Sequence, residues 1–148
     1  MEYLTTHDLV WINTSITGGV SPYNYVTLEA AMAGQYSYGE SDDVPGQAAI
    51  LLSKLIKTAP FGQGNRRTAL IATLSFLKSN GYVSRISDSD SAALVLDVAE
   101  GKLTAAEAVA RLSEPGESTA PSRLTLRKLI TYECNDRREA LALLAVGD

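Results

Sequence analysis

Apolar residues recur at three- and four-residue spacing along most of this chain, and the strict alternation of strands is scarce. That spacing predicts helices joined by short turns. Thr5 or Thr6 can cap a first helix over about Asp8 to Ser15, which Gly18-Gly19 ends. A second helix from Val26 to Ala33 stops at Gly34, and a loop rich in Tyr, Gly, Ser and Asp runs from Tyr36 to Asp43. Pro45 suits the first turn of a third helix, whose stripe Ala48, Leu51, Leu52, Leu55 and Ile56 ends near Thr58.

From Asn65 to about Ser79 the chain is apolar nearly all round, as in a helix buried at the centre of a bundle, and Asn80-Gly81 closes it. Asp88 or Ser89 caps a helix to about Glu100, and Thr104 with Glu107 makes a capping box for a short helix to Leu112. The expected fold is all-α. Residues 114–122, with Pro115, Gly116 and Pro121, read as a linker between a helical domain over 1–113 and a tail over 123–148. In the tail, Leu124, Leu126, Leu129 and Ile130 suit either a short strand or a helix start, whereas Asp136 to Val146 is helical, and a helical tail is the expectation.

Composition narrows the functional classes. A chain of 148 residues can bury one core without metals or disulfides. Its net charge of −4 argues against sequence-independent nucleic-acid binding, so no direct nucleic-acid partner is expected. The single cysteine, Cys134, excludes an internal disulfide. No run has membrane-spanning length and the first residues lack a signal-peptide pattern, which makes a cytoplasmic location the default expectation.

Between the third and fourth helices lies Ala59-Pro60-Phe61-Gly62-Gln63-Gly64-Asn65-Arg66-Arg67-Thr68-Ala69. Gly62 and Gly64 let backbone N–H groups approach an anion, the following helix offers unpaired amides and a positive dipole end, and Arg66 and Arg67 add charge. Taken alone, such a stretch is more often a helix-joining turn with exposed arginines.

The string P-F-G-Q-G-N-R-R-T-A, with the helix after it, resembles the Fic/Doc (Fido) family, whose signature is H-x-F-x-[D/E]-[G/A]-N-[G/K]-R at the start of a buried helix. The resemblance covers loop and helix well, weakens across the rest of residues 1–113 and leaves the tail out. It implies a helical bundle around a buried central helix, with an anion-binding loop before it. It also implies transfer of a phosphoryl group, or less commonly AMP, from a nucleoside triphosphate such as ATP to a protein hydroxyl. Phe61 matches the family's core-anchoring Phe, Gly64 its small loop residue, Asn65 the loop-steadying and phosphate-touching Asn, and Arg67 its phosphate-binding Arg. Arg66 stands where Doc-type (death-on-curing) toxins carry Lys, and Leu70 replaces the second Arg of the AMP-transferring pattern, so the Doc-like branch of toxin–antitoxin pairs fits better. An antitoxin partner and a target in the translation machinery are then implied.

Two positions depart from the family. Ala59 stands where the family has its catalytic His, and a methyl group cannot accept a proton; the loss of a general base costs ~10²–10⁴-fold in rate. Its origin is open between a native loss and an introduced His-to-Ala change. Gln63 replaces the acid that holds magnesium, so Mg²⁺ binding is expected to weaken. The chain as written should hold nucleotide with little turnover, and a degenerate nucleotide- or protein-binding module is the competing class.

Other residues have plainer readings. His7, the only histidine, suits a surface or capping role; Trp11, Tyr23 and Tyr25 suit packing at the bundle edge. Tyr36, Tyr38, Asp42 and Asp43 fit a target-presenting flap or a solvated loop equally. Arg123, Arg127, Lys128, Arg137 and Arg138 read as a solvated face, with an acidic partner as the sharper alternative. The family's inhibitory pattern [S/T]-x-x-x-E-[G/N] has no full match, since Glu117 is followed by Ser118.

Overall fold

A computed structural model describes residues 1–36, 42–116 and 125–148. Its centre is the helix α4 (Asn65–Ser79), in which every residue from Thr68 to Leu77 is buried. Neighbours on several sides explain why its sequence shows no polar face: α1 (Thr6–Thr17), α3 (Val44–Thr58), α5 (Asp88–Ala99), α7 (Leu126–Asp136) and α8 (Arg138–Ala145) all pack on it. The helices α2 (Tyr25–Met32) and α6 (Ala105–Leu112) complete the bundle against α3. The all-α expectation holds, with one two-residue antiparallel pairing, β1 (Tyr82–Val83) to β2 (Glu114–Pro115), as the only strands among the described residues.

Local chemistry sets the helix starts. Thr5 caps α1 by accepting from the Asp8 N–H, while the Asp8 carboxylate accepts from Thr5 in return. Asn24, Asp43, Ser87, Thr104 and Thr125 accept in the same way at α2, α3, α5, α6 and α7. Gly34, expected as a stop, lies inside a 3₁₀ turn (Ala33–Gln35); a β-carbon there would come within 2.7 Å of Ile50 Cγ2, so its smallness serves close packing on α3. Gln35 is fully buried and ties both backbone groups of Leu4.

The tail is helical over both of its described elements, and it belongs to the core. Ile130, Ala140 and Leu144 are fully buried in the same apolar core as Leu70 and Phe76, so α7 and α8 complete one core and are not an appendage. The ambiguous stretch around Leu129 and Ile130 is helix, because Ile130 faces that core. Of the expected linker, Glu114 and Pro115 pair with β1, and residues 117–122 lie outside the described residues, as does Arg123. The tail arginines do not form one solvated face either. Arg137 is 6% exposed and donates to the Ile86 and Ser84 carbonyls and to Asp88, while Arg127 pairs with Asp8 beside the Trp11 ring. Lys78 pairs with buried Glu133, whose carboxyl is pushed up from its ordinary range, chiefly by burial.

Candidate anion-binding site

Helix α3 ends at Ala59, whose φ of 43° and ψ of 64° make it the one non-glycine with positive φ among the described residues. The chain then crosses to α4 along residues 21–24. The Asn24 N–H donates to Pro60 O at 2.9 Å, the Gly62 N–H to Pro22 O at 2.8 Å, and Phe61 forms a bridge with Tyr23. Phe61 is buried, with its ring 5.9 Å from that of Tyr23.

Asn65 steadies the loop. Its Oδ1 accepts from the Phe61 N–H at 2.9 Å and its Nδ2 donates to Phe61 O at 2.8 Å. Each end of the amide makes a bond to the Phe61 backbone, so Asn65 shapes the loop. From α1, Asn13 Nδ2 donates to Gln63 O at 2.8 Å and to Thr68 Oγ1 at 3.1 Å. Gly64 must be glycine here: its φ is 77°, and a β-carbon would lie 2.8 Å from Thr17 Cγ2 and 3.0 Å from Asn13 Nδ2.

The loop thereby presents the first amides of α4, and they already hold an anion. The Arg66 N–H donates to Asp148 Oδ1 at 2.9 Å, the Arg67 N–H to Oδ2 at 3.1 Å, and Arg67 Nε to Oδ2 at 2.9 Å. The Gly64 N–H points at Asp148 O from 3.4 Å. The Asp148 side chain is 4% exposed, so this is a desolvated, charge-assisted cluster and not a surface ion pair. Nothing near the loop in sequence announces Asp148; an acid just past Gly147 gives no local sign of lodging some eighty residues upstream.

The remaining candidates fall around this cluster. The Arg66 guanidinium makes no hydrogen bond or ion pair among the described residues, although its charge helps hold the Glu100 carboxyl down, behind the larger effect of Lys102. Gly62 is exposed beside Pro22. Ala59 is exposed and brings no proton acceptor. Gln63 is exposed too, its Nε2 3.5 Å from Ser21 Oγ. Among the described residues no three His, Cys, Asp or Glu side chains cluster as metal ligands. His7 is exposed in the first turn of α1, about 15 Å along the axis from Thr17 at 1.5 Å per residue, which suits the surface role.

Of the expected flap, Tyr38 lies outside the described residues, Tyr36 packs at a tilt against Tyr3 with ring centres 4.6 Å apart, and Asp43 caps α3. A cavity of about 350 Å³ lined by Ser15, Arg67, Cys134 and Arg138 adjoins Arg67. The Cys134 thiol there is pushed up to about 11 by burial and then by the Glu133 charge, which leaves it protonated and unreactive. A cavity of about 500 Å³ between α3 and α6, lined by Ile50, Lys54 and Lys57, includes none of the residues from Ala59 to Arg67.

Chemically, the arrangement can seat one anionic group with two oxygens on consecutive amides and neutralise it with Arg67. Position 59 itself offers only a methyl group, which cannot take a proton from an acceptor hydroxyl. No helix among the described residues is long and apolar enough to cross a membrane. Compared with known proteins, the chain matches no protein-family model and no curated protein.

Proposed function

We propose that this chain is a Doc-like, Fic/Doc-type domain that binds the phosphates of a nucleoside triphosphate at the start of α4, and that its active form transfers a phosphoryl group to a protein hydroxyl. The observation that carries the reading is the convergence of the Arg66 and Arg67 amides and the Arg67 guanidinium on one pair of anionic oxygens. In that role the amides would hold a phosphate, and Arg67 would offset charge at the transferring group. The Arg66 guanidinium, without a hydrogen-bond or ion-pair partner among the described residues, would meet further phosphate oxygens. A His at position 59 would activate the acceptor; with Ala59 the chain binds without turnover. Magnesium, held weakly beside Gln63, and an antitoxin partner belong to the same proposal.

The decisive experiment measures ATP binding and transfer of label from radiolabelled ATP, with this chain and with Ala59→His. His is among the residues that tolerate positive φ, so the replacement suits the backbone that Ala59 adopts. The expected outcome is binding by both proteins and transfer by Ala59→His alone. Binding by both with transfer by neither would instead favour a non-catalytic nucleotide-binding module, a reading that Ala59 and Gln63 together support. Binding by neither would remove the nucleotide from the reading altogether.

A further inference from the structure

A carboxylate seated on two helix amides and an arginine occupies the place where an incoming phosphate would have to go. The Asp148 oxygens take the Arg66 and Arg67 N–H groups and the Arg67 Nε, so an anion from solution and Asp148 cannot both be bound. From this mutual exclusion we infer that Asp148 is a built-in competitor that keeps the α4 cradle closed until ligand or a partner withdraws it. The inference rests on the phosphate-binding reading of the cradle and adds its regulation.

The chain that carries Asp148 is built to let go. Helix α8 ends at Ala145; Val146 is 81% exposed, and Gly147 adopts a φ of 77° with nothing within 4 Å of where a β-carbon would stand. Behind Asp148 the only hydrogen bond back to α8 is its own N–H to Ala145 O, at 3.3 Å. Its strong contacts are therefore those with the cradle. Rotation about Gly147 can withdraw the carboxylate while Leu144, fully buried three residues earlier, keeps α8 docked. A segment anchored at buried Leu144 and bound to the cradle at Asp148 acts as an intramolecular ligand, and the apparent affinity of an incoming phosphate falls by the fraction of time the cradle is closed.

The test titrates ATP and, as a probe without a base or sugar, tripolyphosphate into the intact chain and into Asp148→Asn, Asp148→Ala and Arg67→Ala, by calorimetry. Asp148→Asn keeps the side-chain volume in case the smaller residue unfolds the site, and thermal unfolding checks each variant. Both Asp148 variants should bind at least about tenfold more tightly than the intact chain, because the charge that competes is gone. Arg67→Ala should bind more weakly than either. In the intact chain, ATP should shift the Arg66 and Arg67 amide resonances and speed hydrogen exchange at Val146 to Asp148.

Equal affinities for the intact chain and folded Asp148 variants would overturn the competitor while leaving the phosphate site standing. So would ATP binding to the intact chain with no change at residues 146–148. If neither phosphate compound binds to the intact chain or to folded Asp148 variants, the phosphate reading itself falls and Asp148 is a structural cap.

Discussion

Among the described residues two α-helices, α4 and α8, start without a capping side chain of their own, and each takes a carboxylate from a distant segment instead. At α8, Asp88 accepts from the Ala140 N–H and from Arg137; at α4, Asp148 accepts from the Arg66 and Arg67 N–H groups and from Arg67 Nε. The chemistry is the same in both places: a carboxylate on the positive end of a helix, reinforced by guanidinium. The mounting differs. Asp88 stands in the first turn of α5, so its position is fixed by a helix that packs along α8, and Arg137 adds bonds to two carbonyls. Asp148 hangs past the end of α8 on a glycine in the left-handed region. One cluster fastens the tail to the fold, and the other can open without undoing it.

The largest expected effect breaks the fixed cluster. Arg137→Ala removes the donor to Ile86 O and Ser84 O and leaves Asp88 without its charge partner, in a site where Arg137 is 6% exposed. Removing one member of such a buried pair costs about 3–5 kcal/mol, enough to loosen the tail from the core. Urea unfolding measures it, and Arg137→Lys should recover only part of the loss because a single ammonium cannot span two carbonyls and a carboxylate. A loss below ~1 kcal/mol, as for a surface pair, would erase the distinction between the clusters.

Opening the α4 cluster should cost less. Asp148→Ala removes a cap-like carboxylate, an interaction worth about 1–2 kcal/mol, because movement of the tail at Gly147 lets water reach the vacated amides. Hydrogen exchange sharpens the contrast: the Arg66 and Arg67 amides should exchange faster in the variant while the Ala140 amide keeps its protection. Faster exchange at Ala140 as well would mean that the two clusters open together and that Gly147 is no hinge.

Much of this contrast was invisible in the sequence for identifiable reasons. The bounds of α4 follow from its nearly all-round apolar sequence, and the caps Thr5 and Thr104 from their place before an apolar stripe, because both signals are local; α5 is capped by Ser87 and not by Asp88 or Ser89. The glycine loop was legible as an anion cradle, since Gly64 and the amides after it need only neighbours to define them. The occupant was not. Asp148 meets the loop through the fold, and neither Val146, expected within the last helix, nor Gly147 points towards the loop. Arg137 misled in the same way: charge is exposed by default, and only the turn between α7 and α8 buries this one against the Ser84 and Ile86 carbonyls. The two-residue pairing of β1 with β2 was too short for any periodicity to register.

The smallest effect bears on the other side of the cradle, where the residue that ends α3 holds the loop in place. Ala59 has a φ of 43°, and an L-residue in the left-handed region costs roughly 1–2 kcal/mol relative to glycine. Glycine at this position would relieve that cost but gains freedom in the unfolded chain, which offsets about 0.4–1 kcal/mol. The net expectation for Ala59→Gly is a stabilisation of roughly half to one kcal/mol, read as a small rise in Tm. Because Ala59 makes only a backbone bond, to Leu55 O, and touches neither Asp148 nor Arg67, the change should leave ATP affinity and the exchange of the Arg66 and Arg67 amides as they were. A shift in either would mean that the end of α3 and the start of α4 move as one piece. The strain at residue 59 would then be part of how the cradle is held shut, and not a local cost of turning from one helix into the next.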